Sequence, residues 1–571
     1  MAWWKNSIVY QVYPRSFADG NQDGVGDIPG ITERVPYLAE LGVDVVWLSP
    51  VYRSPMDDNG YDISDYQDIY PEFGTIEDFD RMLYEMHSHG IRLIMDLVVN
   101  HSSDEHSWFT MARETRDAPT RDYYIWRDPA ADGGPPNNWT SFFGGSAWEL
   151  DKGTGQYYLH LFSKKQPDFN WENPDLRRRI YEMMRWWLDR GVDGFRMDVI
   201  NLISKVPGLP SGHVGEGALV GSEHYVNGPR FLEFMDEMHS EVLSHYDTMT
   251  VGELIDGTTT RALELTKPEN NRLNMIFTFE HVTVDHGPRG KYDVIPFDPA
   301  RLRSVLYSWQ REVAGEGWNS LYFSNHDQPR HVSRYGNDQR YWAESAKLWA
   351  MVLHGLKGTP YIYQGEEIGM TNYPFASIDE FRDIEALNAY GLMCDSYGLD
   401  QQEAMQRLQM HSRDNARTPM QWQPDMESIF PHPWIAVNPN AATVNVQQQM
   451  AEKNSIWQLY KRVITYRKEL PVLVGDWIPL CEDHESAFVF IRSCSEQLLL
   501  VLANPTDQAV QVRVEQNAIP DNWAQTIKDN DPRLLLSSVH DLGELPRVVQ
   551  FQPGIIQLQP WEASYMLWDQ Q

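Results

Sequence analysis

Eight short apolar runs recur along the first two thirds of the chain, separated by stretches of helical periodicity. They are SIVYQVY (7–13), VDVVWLS (43–49), IRLIMDLVV (91–99), GFRMD (194–198), TMTVGEL (248–254), NMIFTF (274–279), SLYFSN (320–325) and TPYIYQG (359–365). Strands that alternate with helices build parallel βα units, and eight such units close into an α/β fold, the (β/α)8 barrel. Residues 31–41 read as one of the helices. Residues 75–89 read as another: Thr75 and Asp78 make a box-like start, Ile76, Phe79, Met82, Leu83 and Met86 share a face, and Gly90 stops it. A third begins near Pro174 and ends at Gly191. In such a barrel the chemistry sits where strands end and βα loops begin. The polar residues at those ends are Asn100, His101, Asp198, Glu253, His326 and Asp327.

Two regions break the repeat. Residues 102–169 form a long excursion after the third strand, rich in Gly, Pro, Asn and aromatics, and loops of that length are functional or form subdomains. From about residue 478 the pattern turns to short β-like runs such as AFVFIR and QLLLVLA. The expected organisation is a barrel over 1–101 and 170–477, an inserted subdomain over 102–169 and a C-terminal β-sandwich over 478–571. Residues 371–455 read as an elaboration of the last βα loop.

Charge narrows the partners. With 48 Lys plus Arg against 81 Asp plus Glu, the formal net charge is −33. Such a field repels nucleic acid and anionic membranes and favours a small neutral substrate. Three cysteines, Cys394, Cys481 and Cys494, form no CxxC pair and cannot make a complete disulfide set, which fits a reducing compartment. The N-terminal segment lacks the pattern of a signal peptide and no apolar run is long enough to span a bilayer. A cytoplasmic monomer or weak oligomer is expected.

Hydrolysis of a glycosidic bond needs two carboxyl groups, and Asp198 and Glu253 each end a strand, so both can face one pocket. DLVVNH (96–101), GFRMD (194–198), VGEL (251–254) and NHD (325–327) follow one another at strand ends, with QPDFN (166–170) in the excursion and GVDVVWLSP (42–50) on the second strand. Nearly the whole chain thereby resembles the α-amylase superfamily of glycoside hydrolases. SIVYQVYPRSF, DNGYDISDY, MDLVVNHSSDEHSWF, NSLYFSNHDQPR and RDNARTPMQW are similar to its bacterial oligo-1,6-glucosidase and α-glucosidase branch.

The resemblance implies that Asp198 is the nucleophile, Glu253 the acid/base and Asp327 the transition-state stabiliser. It implies that His101 and His326 bind the sugar at the cleavage point, and that Tyr61 stacks on its face. Asp58 and Arg417 would grip the far hydroxyls of a terminal glucose, with Phe162 and Gln166 lining the same site. Arg196 lies two residues before Asp198, so both side chains share one face of the strand, and its guanidinium is expected to keep Asp198 ionised. Val199, next to the nucleophile, resembles a switch at which Val accompanies α-1,6 preference and Thr α-1,4 preference. The plainer reading is a β-branched residue suited to a strand end.

DGNQDGVGD (19–27) sets oxygen ligands at alternating positions, a pattern suited to Ca2+ or Mg2+, although Gly30 at the twelfth place excludes an EF-hand. Related enzymes carry a structural metal there, which implies the ligand set Asp19, Asn21, Asp23, Val25 and Asp27. The alternative is an Asx/Gly turn without metal. The expected activity is exo-acting, retaining α-glucosidase chemistry with α-1,6 preference. An α-1,4-acting enzyme or a sucrose-active isomerase or transglucosylase of the same branch is the alternative. Such isomerases typically carry an Arg-Leu-Asp-Arg-Asp run before NHD, where this chain has PFDPARLRSVL (296–306).

Overall fold

The apolar runs become strands because a parallel sheet wrapped by helices buries both faces of each one. A computed structural model of the chain describes residues 2–215, 219–541 and 553–570. The barrel strands are β1 (Val9–Val12), β2 (Val45–Leu48), β3 (Arg92–Val98), β4 (Gly194–Asp198), β5 (Met249–Glu253), β6 (Met275–Phe277), β7 (Ser320–Leu321) and β8 (Thr359–Tyr363). They pair in parallel in the order β6-β5-β4-β3-β2-β1-β8-β7. A parallel bridge between Ile276 and Asn319 joins the two ends, so the sheet closes.

Alternation along each strand sorts residues between two cores. Phe195 and Met197 of β4 pack outward into the main core with the helices. Val45, Trp47, Ile94, Met249, Val251, Met275, Phe277 and Tyr361 pack together in a separate inner cluster. Arg196, from the other face of β4, lies over the Trp47 ring at 5.1 Å. The inner layer of rings is therefore the floor on which the polar strand ends stand.

Two expected elements differ. The helix at 31–41 is two helices, Ile28–Glu33 and Val35–Leu41, broken at Arg34. Pro36 cannot donate to a preceding turn, so the chain restarts there. Asp27 caps the first of them by accepting from Gly30 N at 2.6 Å. The seventh strand pairs only over Ser320–Leu321, because Tyr322 and Phe323 are buried without joining the ladder. The chain is thus released early, and Asn325–Asp327 turns over the barrel mouth, with Asp327 N donating to Asn325 Oδ1 at 2.8 Å. The helix expected at 75–89 forms as Ile76–Ser88, with the Thr75–Asp78 capping box in place.

Residues 102–169 contain a helix, Ser107–Ala112, and a small sheet in the order Trp126–Arg127, Gln156–Leu159, Trp148–Asp151. A backbone bridge from His101 to Asp168, with Phe169 N donating to the Asn100 carbonyl at 2.8 Å, ties this insert to the end of β3. Beyond Asp476 the chain forms a five-stranded antiparallel sheet and a two-stranded one. Val489, Ile491, Leu498 and Leu500 face Val512, Val514 and Leu558 of the smaller sheet. Phe488, Phe490, Leu499 and Val501 on the opposite face join the main core. Residues 542–552, within the expected C-terminal domain, lie outside the described residues. Among the described residues no helix is long and apolar enough to cross a membrane.

Candidate active site

The polar strand ends converge on one guanidinium. Arg196 Nη1 donates to Asp198 Oδ1 at 2.5 Å and to Asp96 Oδ1 at 2.7 Å, and Nη2 donates to Glu253. All four side chains are buried. Asp198 and Glu253 thus stand close enough to share one guanidinium. Retaining enzymes hold their two carboxyl groups closer, about 5–5.5 Å, than inverting ones, which leave roughly 6.5–9.5 Å for a water.

One arginine cannot satisfy three ionised carboxylates in a low-dielectric site, so protons divide unevenly. Burial pushes Glu253 up to about 8, with Asp198 and Asp327 adding to the rise against the pull of Arg196. Burial raises Asp198 only to about 6, with the charge and hydrogen bond of Arg196 pulling it down. Arg196 pulls Asp198 toward the ionised form, in the direction expected, but burial outweighs it and the net shift is upward. Of the two, Glu253 is the carboxyl that keeps a proton more readily and Asp198 the one that ionises more readily, a division that would suit a general acid and a nucleophile.

Burial also works to raise Asp327, yet the charges around it, foremost His326 and then Arg413 and Arg417, hold it far below the usual carboxylate range. His326 is itself pushed down to about 3 by burial and so is neutral at pH 7, which leaves the arginines carrying the effect. Asp327 accepts from Arg417 Nη2 at 3.0 Å and from Arg413 Nη1 at 3.2 Å. It is a permanent negative charge facing the two catalytic candidates.

Around these groups lies a cavity of about 300 Å³. Asp58, Tyr61, His101, Phe162, Val199, Asp327 and Arg413 line it with Asp198 and Glu253. Tyr61 lies parallel to His326, with ring centroids 5.2 Å apart, and its hydroxyl is 2.7 Å from His326 Nε2. Gln166 Nε2 donates to Asp58 Oδ2 at 3.1 Å. Phe162 stacks on Phe142 at 4.9 Å and meets Phe143 edge-on at 5.7 Å, so three rings form one apolar wall. The two Lys and Arg side chains that line the cavity are both paired, Lys291 with Glu385 at 2.9 Å and Arg413 with Asp383. A neutral ligand fits this pocket better than an anion.

Val199 takes φ 36° and ψ 40°, the left-handed region that β-branched residues avoid. It is therefore not simply a residue suited to a strand end. Its N–H donates to Glu253 Oε2 at 3.3 Å, and strain of this kind gathers at functional sites.

The arginine that reaches Asp58 is Arg413, at 3.5 Å; Arg417 turns instead to Asp327 and to the His326 carbonyl at 3.1 Å. The expected Asp58–Arg417 grip is thus a network in which Arg413 takes the place next to Asp58. Burial raises Asp58 to about 7 even so. Arg413 had a signal: it heads RDNARTPMQW, four residues before Arg417. Asp383, fully buried against both arginines, and Phe142 and Phe143 had none beyond the aromatic content of the insert.

The loop at 19–27 stands apart from the cavity. Asp19 accepts from Gln22 N at 2.6 Å and Gly24 N at 2.8 Å, and Asp23 Oδ1 accepts from Val25 N at 2.9 Å. Asp27 accepts from Gly20 N and Asn21 N, each at 3.1 Å. None of Asp19, Asn21, Asp23, Val25 and Asp27 lines the pocket.

Residues 11–476 match the family described as alpha amylase, catalytic domain. The chain belongs to the α-amylase family. It is 53% identical to an oligo-1,6-glucosidase of Parageobacillus thermoglucosidasius, over 98% of both chains. A trehalose-6-phosphate hydrolase from Bacillus licheniformis superposes with a TM-score of 0.91 at 43% identity, covering 99% of this chain and 100% of that one. A trehalulose synthase superposes at 0.92 with 38% identity and the same coverage. Within this α-amylase-family chain, Asp198, Glu253 and Asp327 stand together at one barrel mouth, as the order of the motifs implied.

Proposed function

We propose that the chain is a retaining, exo-acting α-glucosidase that releases glucose from the non-reducing end of short α-1,6-linked glucosides. The observation that carries the reading is the shared Arg196 fork, which holds the buried carboxyl groups of Asp198 and Glu253 side by side; burial raises Glu253 to about 8 and Asp198 to about 6, which suits the one to give a proton and the other to attack. Asp198 attacks the anomeric carbon while Glu253 gives its proton to the leaving oxygen. Water then releases the glucosyl group from Asp198, with Glu253 as base. Asp327 faces the positive charge that grows on the sugar, and its fixed negative charge stabilises that transition state. Paired cations along the pocket support a neutral substrate, and the oligo-1,6-glucosidase relative supports the α-1,6 linkage.

Linkage preference rests on Val199 beside the acid/base. Val199→Thr keeps β-branching, hence the backbone, and exchanges a methyl for a hydroxyl next to the leaving sugar. The variant is expected to raise maltose hydrolysis relative to isomaltose by about ten- to two-hundredfold, the worth of one hydrogen bond in such a site. Rates on isomaltose, panose, maltose, sucrose and trehalose 6-phosphate test the whole reading. Isomaltose and panose are expected to lead, and a native enzyme faster on maltose would contradict the linkage.

The loop at 19–27 is our proposed seat of a structural Ca2+ or Mg2+. Its donors are all oxygens, and Asp27 is pushed up by burial and by the neighbouring Asp19, crowding that a cation relieves. Chelation is expected to lower Tm and leave turnover below the transition unchanged. Immediate loss of turnover with an unchanged Tm would place the metal in the chemistry. Unpaired Cys394, Cys481 and Cys494 fit a cytoplasmic enzyme. We expect it to act as a monomer or weak oligomer.

A further inference from the structure

Behind His101 lies a buried charge that the chemistry above does not use. Lys205, on the loop after β4, is 7% exposed. Its Nζ lies 2.7 Å from Asp168 Oδ2 and donates to Asn100 Oδ1 at 2.9 Å. Asn100 is fully buried, and its Nδ2 donates to Asp168 Oδ2 at 3.1 Å and lies 3.3 Å from His101 Nδ1. On the other side of the ring, His101 Nε2 is 3.2 Å from the Tyr61 carbonyl and 3.2 Å from Gln166 Nε2.

An ammonium can only donate, so Lys205 decides which end of the Asn100 amide faces it: the oxygen. The Asn100 NH2 is then turned toward Asp168 and His101. An amide NH2 can also only donate, so His101 Nδ1 must accept. The single proton of a neutral imidazole is left on Nε2, where the Tyr61 carbonyl receives it. Gln166 competes, because Ser163 N donating to Oε1 at 3.0 Å turns its NH2 toward Nε2; that NH2 also donates to Asp58 Oδ2, and a proton on Nε2 satisfies both the Tyr61 carbonyl and Asn100 where a proton on Nδ1 would satisfy Gln166 alone.

We propose that Lys205 is a positioning residue for the reaction: through Asn100 it fixes the tautomer and aim of His101, so that Nε2 carries the proton, which the Tyr61 carbonyl holds in the free enzyme and shares with a bound sugar. The proposal rests on the reading of His101 as a sugar ligand. The second partner of a functional histidine commonly sets its tautomer, and here that partner is set in turn by a buried lysine on a different loop. Asp168 completes the device by balancing the lysine charge.

The test uses the full chain labelled with [15N]histidine. The His101 ring signals are assigned by their loss in His101→Ala. The native ring is expected to carry its proton on Nε2, and Lys205→Met is expected to populate the Nδ1–H form. Should Lys205→Met not fold, the charge-neutral pair Lys205→Met/Asp168→Asn takes its place. In parallel, kcat/KM is measured on the 2-, 3-, 4- and 6-deoxy p-nitrophenyl α-glucosides. One deoxy position is expected to lose its discrimination by about tenfold in His101→Ala, and by a similar factor in the lysine variant. A native proton on Nδ1, or a ring unchanged by the lysine variant, overturns the role of Lys205. If His101→Ala leaves deoxy discrimination intact, the sugar-ligand reading fails and the proposal falls with it.

Discussion

Replacing Asp198 by Asn is expected to lower kcat/KM on isomaltose by at least about ten-thousandfold, because the proposed mechanism attacks the anomeric carbon through that carboxylate alone. The substitution is nearly isosteric, and its amide oxygen still accepts from Arg196, so the fold should survive with Tm within about a few degrees of the native value. One further consequence follows from the shared arginine. Asp198 is one of the charges that raise Glu253, so neutralising it lets the Glu253 carboxyl fall. The loss is therefore compounded at neutral pH, where the acid begins to lose its proton. Steady-state kinetics with a thermal scan checks this. A folded variant that keeps more than about a hundredth of native activity would move the nucleophile to another residue.

Glu253→Gln is expected to discriminate between leaving groups. On isomaltose, whose departing sugar needs a proton, kcat/KM should fall about a hundred- to ten-thousandfold. On p-nitrophenyl α-glucoside, whose leaving group needs none, it should fall by at most about tenfold. The pH profile gives a second handle. In the native enzyme kcat/KM is expected to rise as Asp198 loses its proton near 6 and to fall as Glu253 loses its own near 8. Because the two interact, these are the apparent values of the pair. Gln cannot ionise, so the variant should keep the acid limb and lose the alkaline one. An alkaline limb that persists unchanged in Glu253→Gln would assign the proton to another group.

The sequence carried the barrel well because its eight apolar runs answer to one local rule, burial on both faces of a parallel strand. Where burial and pairing part company, that rule overreaches. Tyr322 and Phe323 are as apolar as strand residues, yet the ladder stops at Leu321. Pro36 divides a helix whose apolar spacing runs on through it. The candidate catalytic acids were legible for a similar reason: each stands at or just beyond a strand end inside a short motif. What the sequence withheld depends on contacts across the chain. Arg413 meets Asp58 from 355 residues away. Glu253 is raised because burial combines with Asp198 on β4 and Asp327 beyond β7, and no local pattern encodes that sum. The strained backbone of Val199 was hidden too, since a β-branched residue after a strand reads as more strand.

The central claim is that Asp198 and Glu253, held on one guanidinium, act by double displacement. The configuration of the first product tests it most directly. Isomaltose is mixed with a high concentration of enzyme, and the anomeric proton signals of the released glucose are followed by NMR before mutarotation mixes them. Two successive inversions at the anomeric carbon yield α-glucose first, with the β-anomer growing in only as mutarotation proceeds. β-Glucose as the first product would mean a single displacement by water, and the paired-carboxyl mechanism would be wrong.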